Sequence, residues 1–110
     1  MNLETILTHY LTAMLWTEEL DTDYDTSDVH SDSVTKAKED IKAFTSDCKD
    51  LLNGWTDELI GQDFWLTRNG HGAGFWDRDL PNSQEITKVC EAYNISAHVF
   101  TIDGQVHAEY

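Results

Sequence analysis

Residues 61–78 read GQDFWLTRNGHGAGFWDR, and the folding of this stretch decides the rest of the chain. At its middle lies Asn69-Gly70, with apolar and aromatic residues on both sides. Asn-Gly suits a two-residue hairpin turn, because both residues adopt positive φ at little cost. The pattern predicts a β-hairpin over 63–77. Strand alternation then puts Phe64, Leu66, Ala73 and Phe75 on a core face, and Asp63, Trp65, Gly72, Gly74 and Trp76 on the other. Trp65 falls opposite Gly74, with Gly72 on its diagonal. An indole there covers backbone and pins register, while glycines also mark where a ligand approaches closely. Arg68 and His71 flank the turn and are expected at the surface. Asp77, Arg78 and Asp79 end the second strand, with ion pairs fixing the hairpin ends.

Upstream, residues 2–19 carry Leu3, Ile6, Leu7, Tyr10, Leu11, Met14 and Leu15 at helical spacing, with Asn2 as cap and Trp16 extending the apolar face. The segment 20–32 is an acidic connection whose Ser, Thr and Asp content favours turns, anchored by Tyr24 and Val29. Residues 33–54 read as the longest helix. Val34, Ala37, Ile41, Phe44, Cys48, Leu51 and Trp55 form its stripe, Asp32 or Ser33 its cap, and Asn53-Gly54 its stop. Lys36, Lys38, Lys42 and Lys49 alternate with Glu39, Asp40, Asp47 and Asp50 on a solvated outer face. Thr56 caps a short turn of helix, with Asp57 and Glu58 following, that Gly61 ends.

Downstream, Asn82 and Glu85 have capping-box spacing ahead of a helix with Ile86, Val89, Cys90 and Tyr93 on its apolar face and Asn94 as terminator. Asp103-Gly104 centres a second hairpin over 97–110, pairing Ile102 with Gln105, Phe100 with His107 and His98 with Glu109. The expected fold is α+β: two N-terminal helices, a hairpin, a helix and a C-terminal hairpin. The two hairpins form an antiparallel sheet of about four strands with helices mainly on one face, in a single domain spanning 1–110.

The 110 residues suffice for one modest core, and the net charge of −14 is the chain's most unusual bulk property. It argues against direct binding to nucleic acid or to an anionic membrane, which needs Lys and Arg. It favours attraction to basic surfaces. No apolar run is long enough to span a membrane and no signal-peptide pattern opens the chain, so a soluble protein made without a signal peptide is expected. Cys48 and Cys90 sit at apolar helical positions and read as buried free thiols in a reducing cytoplasm.

The block GQDFWLTRNGHGAGFWDR resembles the GHDFWLTRNGHGAGFWDR signature of small acidic proteins encoded by tailed bacteriophages. The opening Leu3-Glu4-Thr5-Ile6-Leu7 and Trp16 are also similar to that family's LETYL-like start and following Trp. The resemblance implies a phage protein working in the host cytoplasm. It implies no activity, since the family has none established. Gln62 departs from the pattern, which has His there, so a metal or proton-transfer role at that position would be missing.

Three site hypotheses follow from the residues. Asp21, Asp23 and Asp25 start like a calcium loop and Asp32 stands where its bidentate acid would be, but Thr26 replaces its glycine, Asp32 is shorter than the usual Glu, and Asp28 replaces an apolar residue. His9, His30, His71, His98 and His107 are scattered and lack zinc-ligand spacing. No metal or other cofactor is expected. The third is an interaction surface made of Glu18, Glu19, Asp21, Asp23, Asp25, Asp28 and Asp32, continued by Asp47, Asp50, Asp57 and Glu58. Alternate acids about 6.6 Å apart in extended chain, or about 5–6 Å apart on a helix, approximate a phosphate track. The reading favoured is a phage accessory protein that binds a host or phage protein with a basic surface, such as a nucleic-acid-binding or defence protein. One alternative is a small-ligand or catalytic module on the surface of Trp65, Arg68, His71, Trp76 and Asp77, with Arg68, His71, Asp77 and Arg78 as the polar rim of the block. Another is a homo-oligomer joined through the last hairpin.

Overall fold

The structure is a computed structural model that describes residues 1–70, 72–93 and 96–110. Four helices, α1 (Leu3–Thr17), α2 (Ser31–Asp47), α3 (Asp57–Arg68) and α4 (Ser83–Cys90), precede a two-stranded antiparallel sheet of β1 (His98–Ile102) and β2 (Gln105–Glu109). The class is α+β as expected. The four-stranded sheet is not formed, because residues 63–77 do not make a hairpin.

The correction rests on how α3 starts and stops. Thr56 Oγ1 accepts from Leu59 N–H, and Asp57 and Glu58 occupy the first turn, which suits the helix dipole. The helix then runs through Gly61, where the sequence predicts its end. Gly61 packs against α1 so closely that a Cβ there would lie 2.1 Å from Ile6 O. Asn69 caps the C-terminus through its N–H to Trp65 O, and Gly70 follows at φ +64°. A left-handed residue after a helix and a two-residue hairpin turn call for the same residue types, so Asn-Gly satisfied both patterns. Downstream, Phe75–Asp77 form a 3-10 turn in place of a second strand. Trp65 therefore does not cover Gly74. Its ring stands edge-on to Tyr10 at 5.5 Å, and its Nε1 donates to Thr17 Oγ1 at 2.8 Å.

α1 is capped by Asn2, whose side chain accepts from Thr5 N–H, and it buries Ile6, Leu7, Tyr10, Leu11 and Met14. Trp16 does not extend this face. It lies two residues past Met14, roughly 200° around the helix, and is 77% exposed. α2 is capped by His30 rather than Asp32 or Ser33, with Nδ1 accepting from Asp32 N–H at 3.1 Å. It ends at Asp47, short of Asn53-Gly54, and tightens into a 3-10 turn at Lys49–Leu51. The predicted stripe nonetheless stays inward, with Ala37, Ile41, Phe44, Cys48 and Trp55 all buried. Asn82 adopts φ 62° and makes no capping bond. Its Nδ2 donates to Leu51 O instead. The terminator proposed at Asn94 lies outside the described residues.

The last hairpin has the expected register: Ile102 pairs with Gln105, Phe100 with His107 and His98 with Glu109. The chain before α2 closes the outer edge of β2, where Val29 bridges Val106 and His30 N–H donates to Val106 O at 2.9 Å. One buried cluster joins side chains from all four helices and β2, with the Phe44 and Phe64 rings stacked 4.2 Å apart at its centre. No helix among the described residues is long and apolar enough to cross a membrane.

Candidate functional site

Of the expected polar rim of the block, Arg68 is not at the surface. Arg68, placed by the last turn of α3, is 2% exposed. Its Nη1 donates to Asp40 Oδ2 at 3.0 Å and to Tyr10 OH at 3.1 Å. Its guanidinium lies 3.9 Å from the Tyr110 ring centroid and 5.0 Å from that of Phe64. Tyr110 OH in turn meets Tyr10 OH at 2.9 Å and accepts from Asn69 Nδ2 at 3.2 Å. Burial acts to lower the Arg68 pKa, but Tyr10, Tyr110 and Asp40 outweigh it and hold the guanidinium charged. Burial pushes the Tyr10 hydroxyl well up, so Tyr10 stays protonated beside that charge. The cluster ties α1, α2, α3 and the chain end together. Asp40, assigned to the solvated face of α2, is buried with it and also accepts from Lys36 at 3.0 Å.

The second arginine is also structural. Arg78 makes a two-pronged pair with Asp63, Nε to Oδ2 at 2.9 Å and Nη2 to Oδ1 at 2.8 Å, and Asp63 is fully buried. Arg78 thus forms an ion pair with a helix as expected, although it ties a turn to α3 rather than a hairpin end to another helix. Asp77 and Trp76 are exposed. His71 lies outside the described residues. With Trp65 and Arg68 in the core, the five-residue ligand surface is not assembled at one face.

Neither thiol is set up as a nucleophile. Burial pushes Cys48 up to about 11 and Cys90 up to about 12, away from the thiolate that attack requires. Both are free and buried. Among the described residues no group of three or more His, Cys, Asp or Glu is placed to hold a metal ion.

The acidic connection is built differently from an open track of charges. Asp25 caps a 3-10 turn at Thr26–Asp28, accepting from Ser27 N–H, while Asp28 reaches back to Asp25 N–H. The hydrogen bonds from Ser27 hold the Asp25 carboxyl below its ordinary value. Asp21 accepts from Tyr24 OH at 2.9 Å. Three of the seven candidate acids therefore shape the loop as well as charging it. Glu18 is the C-cap residue of α1, Asp32 lies in the first turn of α2, and Glu19 and Asp23 are exposed.

Together the end of α1 and the loop enclose an open groove of about 690 Å³. Leu15, Leu20 and Tyr24 give it apolar walls, Glu18, Glu19, Asp23 and Asp25 supply charge, and Trp16 stands at its side. Asp32 does not line it. Trp16, expected on the apolar face of α1, stands at this groove instead. Its phase, outside the stripe of α1 and next to seven acids, was the available signal. Compared with family models, with curated proteins and with solved structures, the chain finds no match.

Proposed function

We propose that the chain is a binding protein that takes a basic, partly apolar segment of a protein partner into the groove at the end of α1. The observation that carries this reading is Trp16, a large aromatic ring 77% exposed among acids. An exposed Trp beside carboxylates suits a Lys or Arg, which meets the ring face as a cation and the acids as a counter-charge. The net charge of −14 adds long-range attraction to any basic surface. In the phage setting implied by the 61–78 block, the partner class is a host or phage protein with a basic site, such as a nucleic-acid-binding or defence protein.

The test is capture from host lysate on immobilised protein, with one triple variant chosen to spare the turn. The wild type retains a basic protein at low salt and releases it as salt rises. Trp16→Ala with Glu19→Gln and Asp23→Asn loses it while melting normally. Asp25 and Asp28 are left intact because they hold the 3-10 turn. Retention by the triple variant equal to wild type, or no basic protein retained by either, refutes the reading.

A further inference from the structure

Among the described residues nothing pairs with the outer edge of β1, whereas that of β2 is closed. In a hairpin with a two-residue loop the pair flanking the turn, Ile102 and Gln105, exchanges hydrogen bonds, and so do Phe100 with His107 and His98 with Glu109. The N–H and C=O groups of the residues between them point away from the partner strand. On β2 these belong to Val106 and Ala108, and the fold uses both residues: Val106 O accepts from His30 N–H, and Ala108 N–H donates to Ser33 Oγ at 3.0 Å. On β1 they belong to Val99 and Thr101, whose backbone groups have no hydrogen-bond partner on that side among the described residues, while the Thr101 side chain meets Tyr24. One step back, Ala97 N–H is already taken by Asn69 Oδ1 at 2.7 Å.

The edge also lacks the usual protection. β1 reads HVFTI, with no Lys, no Pro and no carboxylate, in a chain of 21 acids. Ile102, 52% exposed, and Phe100 lie together on the solvent side of the hairpin, beside an open groove of about 600 Å³.

We infer that this edge pairs with β1 of a second copy of the chain, antiparallel, joining two hairpins into one four-stranded sheet. Charge selects the occupant. A basic partner strand finds no acid along β1 to match, whereas a second β1 is equally uncharged and offers the same free groups. Hydrogen bonding selects the register. Outward residues must face outward residues, and Ala97 is occupied, so Val99 faces Thr101 of the other copy on both sides of a two-fold axis. Phe100 then faces its own copy across that axis at a non-hydrogen-bonded pair, where Cα atoms lie about 4.5 Å apart. The inference does not depend on the groove at Trp16.

The two are separated by salt. Two chains of like charge repel, so the dimer strengthens from about 0.05 M to about 0.5 M salt as the charge is screened, whereas capture of a basic partner weakens. Sedimentation equilibrium on the full chain reads this directly, at concentrations reaching hundreds of micromolar because strand-edge contacts are small and weak. Phe100→Cys, under oxidation, gives a disulfide-linked dimer, since the facing Cα separation suits the bond. His98→Cys, which faces Ile102 of the other copy, does not. Cys48 and Cys90 stay silent because they are buried. Phe100→Lys abolishes the dimer at both salts although it lowers the net charge, because it sets like charges opposite each other. The inference is overturned by a wild type that stays monomeric at both salts, by a Phe100→Lys dimer as strong as wild type, or by His98→Cys linking as readily as Phe100→Cys. The two cysteine variants decide the register even where the lysine variant fails to fold.

Discussion

Replacing Gly61 with alanine tests the contact on which the helical reading of 57–68 stands. In an uncrowded helix interior the change stabilises by about 1 kcal/mol, because alanine loses less backbone entropy. Here the new methyl would sit 2.1 Å from Ile6 O and 3.0 Å from Tyr10 N, where ordinary contact begins at 3.4 Å. Both neighbours are backbone of α1, so no side chain can swing aside. The helices must part by about 1.3 Å to restore ordinary contact, and a gap of even about 0.5–1 Å forfeits a quarter to a half of the dispersion energy of each contact across the seam. That seam holds the Tyr10 contacts with Phe64 and Trp65. Overpacking of this kind costs about 3 kcal/mol or somewhat more, leaving a net loss of about 2–3 kcal/mol after the propensity gain. With an unfolding entropy of about 2.1 cal/mol/K per residue, a chain of 110 residues loses about 10 °C in Tm. Calorimetry or thermal circular dichroism measures it. An unchanged or raised Tm refutes the α1–α3 packing described above.

Arg68→Met leaves Asp40 buried with only Lys36 for a partner and costs about 3–5 kcal/mol in urea unfolding. Adding Asp40→Leu recovers most of that loss, and a double variant no more stable than the single one shows that the pair is not the cause. Cys48 and Cys90 resist a thiol reagent at pH 8 in the native protein and react once it is unfolded; fast native labelling contradicts their burial. Folding raises both thiols above their ordinary 9.0, to about 11 and about 12. Their contribution to stability is therefore complete below pH 9 and falls as pH climbs through 11 to 12, because the unfolded chain loses these protons first. Cys90→Ala flattens that alkaline decline. Acrylamide quenches Trp16 far more than Trp55 or Trp65, which are buried. Trp16→Phe lowers the quenchable emission to the share of the half-exposed Trp76 and shifts Tm little, since exposed substitutions stay within about 0.5 kcal/mol.

Local pattern determined much of this fold. The apolar spacing of α1 and α2 named their buried faces, the inward Cys48 and Cys90 included, because helical periodicity is a property of neighbours in sequence. The register of β1 and β2 followed from Asp103-Gly104 alone, because a two-residue loop leaves no freedom in pairing. Asn69-Gly70 failed by the same logic. Positive φ after a helix and positive φ inside a hairpin look alike locally, and the close approach of α1 to Gly61 made the choice. Only tertiary structure turned Asp40 and Arg68 from surface charges into a buried pair, since burying either charge requires the other, and they stand 28 residues apart. The acidic loop was readable as acid. That Asp25 and Asp28 spend hydrogen bonds on a turn, and that Trp16 stands beside a groove instead of in the core, depended on how α1 is rotated against α3, which local spacing does not encode.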